Sequence, residues 1–396
     1  MNQNFKPPQN DLRIRIVRLQ KLLAEAGGDA ALISTEVNIY YLTGTVFSGY
    51  IYLPAESEPF TFIQRPSGLK EEGLIYIRKP EDIPTILKEK NLPLPETLFL
   101  EADQITYNEF LRLEAAFHPS RTGNLTPLLR KSRMIKTPWE MEQFRFSAAK
   151  HTEAYLEIPS LFRKGMTEIA FQIEIDQVMR KKGSIGIFRT FGANMNIFMG
   201  SILSGKNADT PSPYNFAMGG SGIHPCLPVG ASDDIIKEGS AVMIDYAGNF
   251  TAYMSDMTRV YSFGKLPEIA YRAHQVSKEM HQWLMEEAKP GTACSDIYNH
   301  IFETAAKSGF AENFMGFSQQ AKFVGHGVGL EINEPPVLMS RSGDLLQTGM
   351  VFAFEPKFVL PGIGAVGIEN TFIMTDTGIE KLTVFEEEII RLDTNG

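Results

Sequence analysis

Two aspartates, Asp245 and Asp256, lie where short apolar segments end. Asp245 directly follows the apolar residues 241–244, and Asp256 follows a second short segment shortly after Gly248. A carboxylate at the end of a buried strand is costly unless it is paired or binds a cation. If the chain folds back near Gly248, the two acids come together. Acids in this position are also typical of turn caps, so the pair by itself does not establish a metal site.

A histidine and two glutamates extend this acidic set. His326 lies between Gly325 and Gly327, which let the backbone approach a bound group closely and leave the imidazole accessible. Glu355 and Glu369 each lie in an apolar segment. Acidic residues within apolar segments are hard to explain as part of a solvent-exposed surface.

Two aspartates, one histidine and two glutamates supply oxygen-rich ligation with one nitrogen. This donor set suits a pair of Mn, Co, Fe or Zn ions. Bridging carboxylates keep two such ions roughly 3.5–4 Å apart and let them share an activated water. The alternative is that these acids form ion pairs with lysine and arginine side chains.

The elements that must position these residues divide into two regions. Residues 12–28 predict an amphipathic helix, and the short apolar segments that follow predict the strands of an α/β domain. Thr137, Pro138 and Glu140 predict a helix start, because a Thr cap and a Glu three residues later satisfy its free amides. The length of 396 residues also favours more than one core. We therefore predict two domains, residues 1–131 and 132–396.

The second region combines helices with glycine-punctuated strands. Its pattern predicts a helix from Thr167 to Gly183, strands from Ala241 onward, and two further helices at residues 268–287 and 295–308. Five other histidines have no motif around them and are interpreted as ordinary surface or helix residues. They are His118, His151, His274, His281 and His300.

Composition excludes several classes of protein. The net charge of −9 and pI near 5.4 give no broad basic surface, which argues against a nucleic-acid partner and favours a small substrate. The only cysteines, Cys226 and Cys294, are too few for a disulfide framework and lack CxxC spacing. The polar N-terminus and the lack of a long apolar run predict a cytoplasmic protein with no membrane partner.

Five short motifs surround the candidate ligands in order along the chain. They cover residues 244–246, 255–259, 325–331, 354–356 and 367–370. In sequence and spacing they resemble the metal-ligand motifs of the methionine aminopeptidase, aminopeptidase P, prolidase and creatinase superfamily. Residues 29–32 and 38–44 are similar to the N-terminal domain of its prolidase and creatinase branch. The resemblance therefore covers nearly the whole chain.

This resemblance implies both a fold and a chemistry. The implied fold is an α/β N-terminal domain plus an α+β pita-bread domain of the creatinase and aminopeptidase type. The implied enzyme is an Xaa-Pro dipeptidase or aminopeptidase, a metallopeptidase that hydrolyses small peptides with a dinuclear centre, manganese being the expected metal. Glu355 is the implied proton shuttle, and the N-terminal domain is implied to support a homodimer. The implied ligands are Asp245, Asp256, His326, Glu355 and Glu369.

At several positions this chain lacks the residue that is usual in the family. Asn333 stands where the family usually has a second histidine, so we expect it beside the substrate; Lys322 and Gly367 replace a histidine and an arginine. His224 is the nearest counterpart of a third histidine and is expected to be catalytic, although gapless alignment gives Pro228. These changes leave open a creatinase-like hydrolase or lyase for a small non-peptide substrate. A binding module without catalysis is disfavoured, because all five ligand types are retained.

A predicted hairpin gives Lys357 a place in this site. The Pro-Gly pair at residues 361–362 is a turn signal between two apolar segments. A hairpin centred there sets Glu355 opposite Glu369 and Lys357 opposite Gly367. Because residues two apart on a strand share a face, Lys357 would point toward the metals and bind the substrate carboxylate in place of the missing arginine. The alternative is that the proline after Glu355 disturbs the alternation and leaves Lys357 solvated.

Overall fold

The structure is a computed structural model that describes residues 5–69, 73–187, 189–192 and 198–392. Its internal contacts divide the chain into two units, Met1–Arg133 and Met134–Gly396. The predicted boundary between residues 131 and 132 lies beside this division. Among the described residues, none of the helices combines the length and apolar character that crossing a membrane requires.

The N-terminal unit is a six-stranded sheet flanked by helices. Its elements are α1 (Gln9–Glu25), β1 (Ala30–Ile33), α2 (Glu36–Thr43), β2 (Ser48–Pro54), β3 (Phe60–Arg65), β4 (Leu74–Tyr76), α3 (Asp82–Glu89), β5 (Thr97–Leu100), α4 (Tyr107–Phe117), β6 (Arg121–Asn124) and α5 (Thr126–Met134). The strand order is β4-β3-β2-β1-β5-β6. β1 runs antiparallel to β2 and parallel to β5, which gives the mixed α/β sheet that the apolar segments predict.

The first helix shows how the sequence sets these elements. Leu12, Leu19 and Leu23 lie on the buried face of α1, at the spacing that brings side chains to one side of a helix. The helix ends before Gly27, whose φ of 73° lies in the left-handed region that glycine adopts without strain. The predicted amphipathic helix is therefore confirmed, with a start a few residues earlier.

The C-terminal unit contains most of the chain and two larger sheets. Its helices are α6 (Pro138–Tyr155), α7 (Ile158–Leu161), α8 (Glu168–Lys181), α9 (Glu268–Glu287) and α10 (Cys294–Lys307). Its strands are β7 (Gly200–Ser204), β8 (Ser240–Gly248), β9 (Ser255–Phe263), β10 (Gly325–Gly327), β11 (Glu334–Val337), β12 (Val351–Phe354), β13 (Lys357–Leu360), β14 (Gly364–Gly367), β15 (Asn370–Met374), β16 (Ile379–Lys381) and β17 (Ile390–Arg391).

Each sheet of this unit is covered by its own pair of helices. The four-stranded sheet, in the order β17-β9-β8-β7, shares an apolar core with α6 and α8. The five-stranded sheet, in the order β11-β10-β12-β15-β16, shares another core with α9 and α10, to which the two-stranded hairpin of β13 and β14 also contributes. The candidate ligands come from strands of both sheets and from the ends of the hairpin strands.

The predicted helix boundaries of this unit follow from local capping. Thr137 accepts a hydrogen bond from the backbone N–H of Glu140, whose carboxylate accepts one from the N–H of Thr137. This reciprocal pair is the predicted capping box, with Pro138 in the first turn. Thr167 caps α8 through the backbone N–H of Ala170. The other two predicted helices are confirmed as α9 and α10.

Candidate metal centre

Asp245 and Asp256 are brought together by the hairpin of β8 and β9. Asp245 lies directly opposite Thr258 in the antiparallel ladder. Because Asp256 and Thr258 are two residues apart on one strand, their side chains share the face to which Asp245 also points. The predicted folding back of the chain after Gly248 therefore places the two aspartates side by side.

The remaining acids and the histidine approach from the second sheet and the hairpin. His326 lies at the centre of β10, opposite Ala353 of β12. Glu355 directly follows β12, and its N–H donates to Val324 O at 2.9 Å. Glu369 follows β14 and is tied to β9, since its N–H donates to Thr258 O at 3.2 Å and its Oε2 accepts from Thr258 Oγ1 at 2.7 Å.

Three of the five predicted ligands form a group that fits one metal ion. One ligand atom from each of Asp256, His326 and Glu369 lies within 4.8 Å of the other two. His326 Nε2 is 3.9 Å from Asp256 Oδ2 and 3.5 Å from Glu355 Oε1. The other ring nitrogen, Nδ1, lies 3.2 Å from Gly327 O, so a proton on Nδ1 would leave Nε2 free to ligate.

The ammonium of Lys357 lies among the other carboxylates. Its Nζ is 2.9 Å from Asp245 Oδ2, 2.9 Å from Glu355 Oε2 and 2.9 Å from Glu369 Oε2. A lysine ammonium has three N–H donors, and each one here has a protein carboxylate as its acceptor. All three N–H groups thus have acceptors within the site, and the predicted contact of Lys357 with a substrate carboxylate stays a prediction.

The hairpin register explains how Lys357 reaches this position. Lys357 pairs with Gly367 across β13 and β14, so the predicted register is confirmed. The predicted pairing of Glu355 with Glu369 in the same ladder is wrong, because the ladder ends at Lys357 and Gly367. A Cβ on Gly367 would lie 2.5 Å from Pro356 O and 2.9 Å from Lys357 Cα, and its φ is +127°. The arginine that the resemblance implies at this position therefore does not fit this backbone.

The buried acids carry more negative charge than the lysine offsets. Burial, together with repulsion from Glu369, Asp245 and Glu355, raises the pKa of Asp256 well above its usual range. Burial also raises the pKa of Asp245, against the opposing effect of the Lys357 charge. Both shifts favour protonation in the absence of another cation. A divalent ion beside Asp256 would offset the same repulsion.

A layer of buried polar groups holds the ligand strands in place. Arg259 Nη1 donates to the carbonyls of Thr258 and Glu369 at 2.8 Å each, and its Nη2 donates to Asn370 Oδ1 at 2.9 Å. Thr371 Oγ1 accepts from the N–H of Asp256 at 2.7 Å and donates to its carbonyl at 2.8 Å. These bonds join β9 to the residues after β14, so Asp256 and Glu369 keep a fixed separation.

Helix α9 supports the hairpin from behind, a role that the sequence did not reveal. Ser277 Oγ donates to Pro356 O at 2.6 Å and accepts from the N–H of Ile368 at 3.0 Å. His274 Nδ1 accepts from the N–H of Gly367 at 3.2 Å, so its Nε2 carries the proton that is donated to Glu387 O at 2.7 Å. His274 is therefore a buried residue of the site's support rather than an ordinary helix residue.

Two other predicted site residues have different surroundings. His224 is exposed, and its Nδ1 accepts from the N–H of Cys226 in its own loop at 3.1 Å. Asn333 holds the backbone of Phe191, accepting from its N–H at 2.7 Å and donating to its carbonyl at 2.8 Å. The catalytic role of His224 and the substrate contact of Asn333 stay predictions.

Comparison with known families agrees with this geometry. The model of Metallopeptidase family M24 matches residues 142–376, and that of the Creatinase/Prolidase N-terminal domain matches residues 15–135. An Xaa-Pro dipeptidase of Pyrococcus furiosus is 25% identical over 385 residues, covering 96% of this chain and 100% of the relative. The two family matches together confirm the predicted resemblance along nearly the whole chain.

Solved structures share the fold. An Xaa-Pro dipeptidase from Bacillus anthracis superposes with a TM-score of 0.80 at 24% identity, covering 96% of this chain and 100% of that one. An X-Pro aminopeptidase from Thermotoga maritima gives a TM-score of 0.77 at 22% identity, covering 94% of this chain and 99% of that one. The predicted combination of an α/β N-terminal domain with an α+β pita-bread domain is confirmed.

Proposed function

Since the chain belongs to metallopeptidase family M24, we propose that it is a metal-dependent Xaa-Pro dipeptidase or aminopeptidase acting on small peptides. The observation that carries this proposal is the group of Asp256, His326 and Glu369, with Glu355 at its edge. A divalent ion held by these residues would supply Lewis-acid activation of water and of the scissile carbonyl. The expectation of two ions, with Mn²⁺ as the first choice and Co, Zn or Fe as alternatives, remains a prediction.

Glu355 has the position of a proton carrier in this proposal. The side chain is buried, and its Oε1 lies 3.5 Å from His326 Nε2 while its Oε2 accepts from Lys357. One oxygen is thus fixed, and the other faces the ligand group. A carboxylate held in this way can take a proton from water and return it to the leaving amine.

A cavity beside the centre offers space for the substrate. It has a volume of about 470 Å³ and includes Val337, which is the ladder partner of His326. Its walls include Tyr214 and Phe216, which stack at 5.6 Å, and Phe323, whose ring lies 6.2 Å from that of His326. The aromatic part of these walls suits a small apolar ring such as that of proline.

Lys322 is an exposed cation at the edge of this cavity, and we propose that it binds the carboxylate of a dipeptide substrate. Lys322→Ala is expected to raise KM for an Xaa-Pro dipeptide about fivefold, the effect of losing roughly 1 kcal/mol from an exposed ion pair. KM for the dipeptide amide should change little. Steady-state kinetics on both substrates, with Lys265→Ala as an exposed lysine control, measure the difference. Equal KM changes for acid and amide would contradict this role.

The proposed activity is tested by cleavage of a peptide panel. The purified protein, supplied with Mn²⁺ or Co²⁺, is incubated with Xaa-Pro dipeptides, longer X-Pro peptides and matched Xaa-Ala peptides, and products are followed by mass spectrometry. We expect cleavage of the Xaa-Pro bond and its loss on addition of a chelator. Cleavage of none of the peptides under any metal would contradict the proposal.

One observation keeps a second function open. Asn333 and Gly367 differ from what the resemblance implies for a proline peptidase, and Lys357 occupies part of the acidic cluster. A creatinase-like hydrolase or lyase acting on a small non-peptide substrate is therefore the alternative. Turnover of small amides or guanidino compounds, without turnover of any peptide in the panel, would favour it.

Location and assembly are further parts of the proposal. Cys226 and Cys294 are free thiols, which suits a reducing cytoplasm. We also propose a homodimer, the assembly that the resemblance of the N-terminal region implies. Light scattering coupled to size-exclusion chromatography measures the mass, and a single peak at the mass of one chain would contradict the dimer.

A further inference from the structure

Lys357 provides a fixed positive charge inside the acidic cluster. Its side chain is fully buried, and its three contacts of 2.9 Å join Asp245, Glu355 and Glu369. These three residues belong to three different segments of the fold, namely β8, the end of β12 and the end of β14. The ammonium therefore links the same segments that a bound metal ion would link.

The position of this ammonium conflicts with a second metal ion. Metal ions bind carboxylate oxygens at about 2.0–2.6 Å, and Asp245, Glu355 and Glu369 each have an oxygen engaged by Lys357. A second ion among these acids would have to displace the ammonium or lie beside it against like-charge repulsion. In the part of the chain that the structure describes, Asp256, His326 and Glu369 thus fit one ion, and the acids around Lys357 do not fit a second.

From this geometry we propose that the protein binds one divalent ion per chain and that Lys357 serves as the permanent second cation of the centre. The proposal deepens the proposed function and rests on it for the role of the metal. It distinguishes this chain from a two-metal peptidase built on the same ligand motifs. Asp245 and Glu355 would then act mainly as acceptors for Lys357 rather than as ligands.

The charges of the cluster support one ion together with the lysine. Four buried or half-buried carboxylates, from Asp245, Asp256, Glu355 and Glu369, face one ammonium. The ammonium contacts three of these carboxylates at 2.9 Å each, so its charge is held within the cluster. One divalent ion then offsets most of the remaining negative charge, whereas two would leave the centre positive before any water ionises.

The backbone holds the lysine in this place. The N–H of Met315 donates to Lys357 O at 2.8 Å, and the N–H of Lys357 lies 3.4 Å from Met315 Sδ. On the other side, Lys357 pairs with Gly367, which is close enough to exclude a Cβ. The hairpin is further tied to α9 through Ser277. A side chain that starts from a fixed backbone and is fully buried has little freedom to leave the carboxylates.

The first test counts metal ions in the protein as it exists. The wild-type chain is stripped of metal with chelator, saturated with Mn²⁺ and freed of excess metal. Its Mn²⁺ content is then measured by inductively coupled plasma mass spectrometry, and the bound ion is examined by electron paramagnetic resonance. We expect one Mn²⁺ per chain and the six-line spectrum of an isolated ion. Two ions per chain, or the spectrum of a magnetically coupled pair, would overturn the proposal.

The second test removes the ammonium. Lys357→Met keeps much of the apolar stem and frees the three carboxylates, so the Mn²⁺ content is expected to rise from one to two per chain. Lys136→Met is the matched control, because Lys136 is also buried and pairs with a buried acid, Glu334, at 3.2 Å; it should keep one ion. A Lys357→Met protein that still binds one ion would show that the lysine does not exclude the second.

Both tests are independent of the peptide assay. They use Mn²⁺ alone, with no substrate, so a protein that cleaves no peptide but binds one ion retains this inference while losing the proposed function. A protein that cleaves Xaa-Pro peptides but binds two ions retains the proposed function and loses this inference. If Lys357→Met does not fold, the metal count of the wild-type chain still decides the question.

Discussion

Replacing Asp256 by asparagine is expected to lower kcat/KM on an Xaa-Pro dipeptide by a factor of about 10³ or more. A metal ion contributes several kcal/mol to such a reaction, and about 4 kcal/mol corresponds to this factor. Asp256→Asn replaces a charged ligand by a neutral amide of the same shape. The backbone hydrogen bonds of residue 256 to Thr371 are kept, because the substitution changes only the side chain. Steady-state kinetics at saturating Mn²⁺ measure the loss.

The same substitution should remove the stabilisation that metal gives. A ligand that binds only the folded chain raises the unfolding free energy by about 2.7 kcal/mol at 100 times its Kd. Thermal unfolding with and without Mn²⁺ should therefore show a clear shift for the wild type and almost none for Asp256→Asn. Asp176→Asn is the control, because Asp176 is a half-buried acid that accepts from Tyr246 Oη outside the cluster. If Mn²⁺ shifted the unfolding temperature of both variants equally, the assignment of Asp256 as a metal ligand would be contradicted.

The parts of the site that the sequence predicts are those set by local pattern. Asp245 and Asp256 lie on two strands joined by a short turn, so alternation alone places them on one face. The turn at Gly362 fixes the register of Lys357 with Gly367 for the same reason. In each case a few neighbouring residues determine both the strand and its partner.

The parts that the sequence does not predict depend on contacts between distant segments. Glu369 pairs with Thr258, more than a hundred residues earlier, rather than with Glu355 in its own hairpin. Likewise, the apolar face of α9 predicts a buried helix but not that Ser277 and His274 would bond the backbone of the metal-binding hairpin. Helical periodicity shows which side is buried and gives no information about the strand that covers it.

Lys357 illustrates the limit for charged residues. The register correctly sends its side chain toward the acids, yet the choice between a substrate carboxylate and a protein carboxylate depends on distances of a few ångströms. Those distances arise from the close approach of Gly367 and from the separate anchoring of Asp245 on β8. A lysine in a metal-ligand motif is therefore best considered first as a partner of the ligands themselves.

Because His151 is buried, we expect the free energy of unfolding to fall as the solution becomes acidic. Burial, followed by the charge of Arg259, lowers the pKa of His151 from its usual 6.5 to about 3. Below pH 6.5 the unfolded chain therefore gains a proton that the folded chain does not bind. The stability associated with the neutral ring is fully present above pH 6.5 and is lost as the pH falls toward 3, at about 1.4 kcal/mol per pH unit.

Comparison with His151→Gln isolates this effect, because other groups, including Asp256 with its raised pKa, change stability in the opposite direction. Between pH 6 and pH 4, in chelator, the unfolding free energy of the wild type in urea should fall about 1.4 kcal/mol per pH unit more steeply than that of His151→Gln. His300→Gln removes an exposed imidazole and should leave the wild-type slope unchanged. Parallel curves for the wild type and His151→Gln would mean that the folded chain takes up a proton at His151, against its burial beside Ser255 and Tyr155.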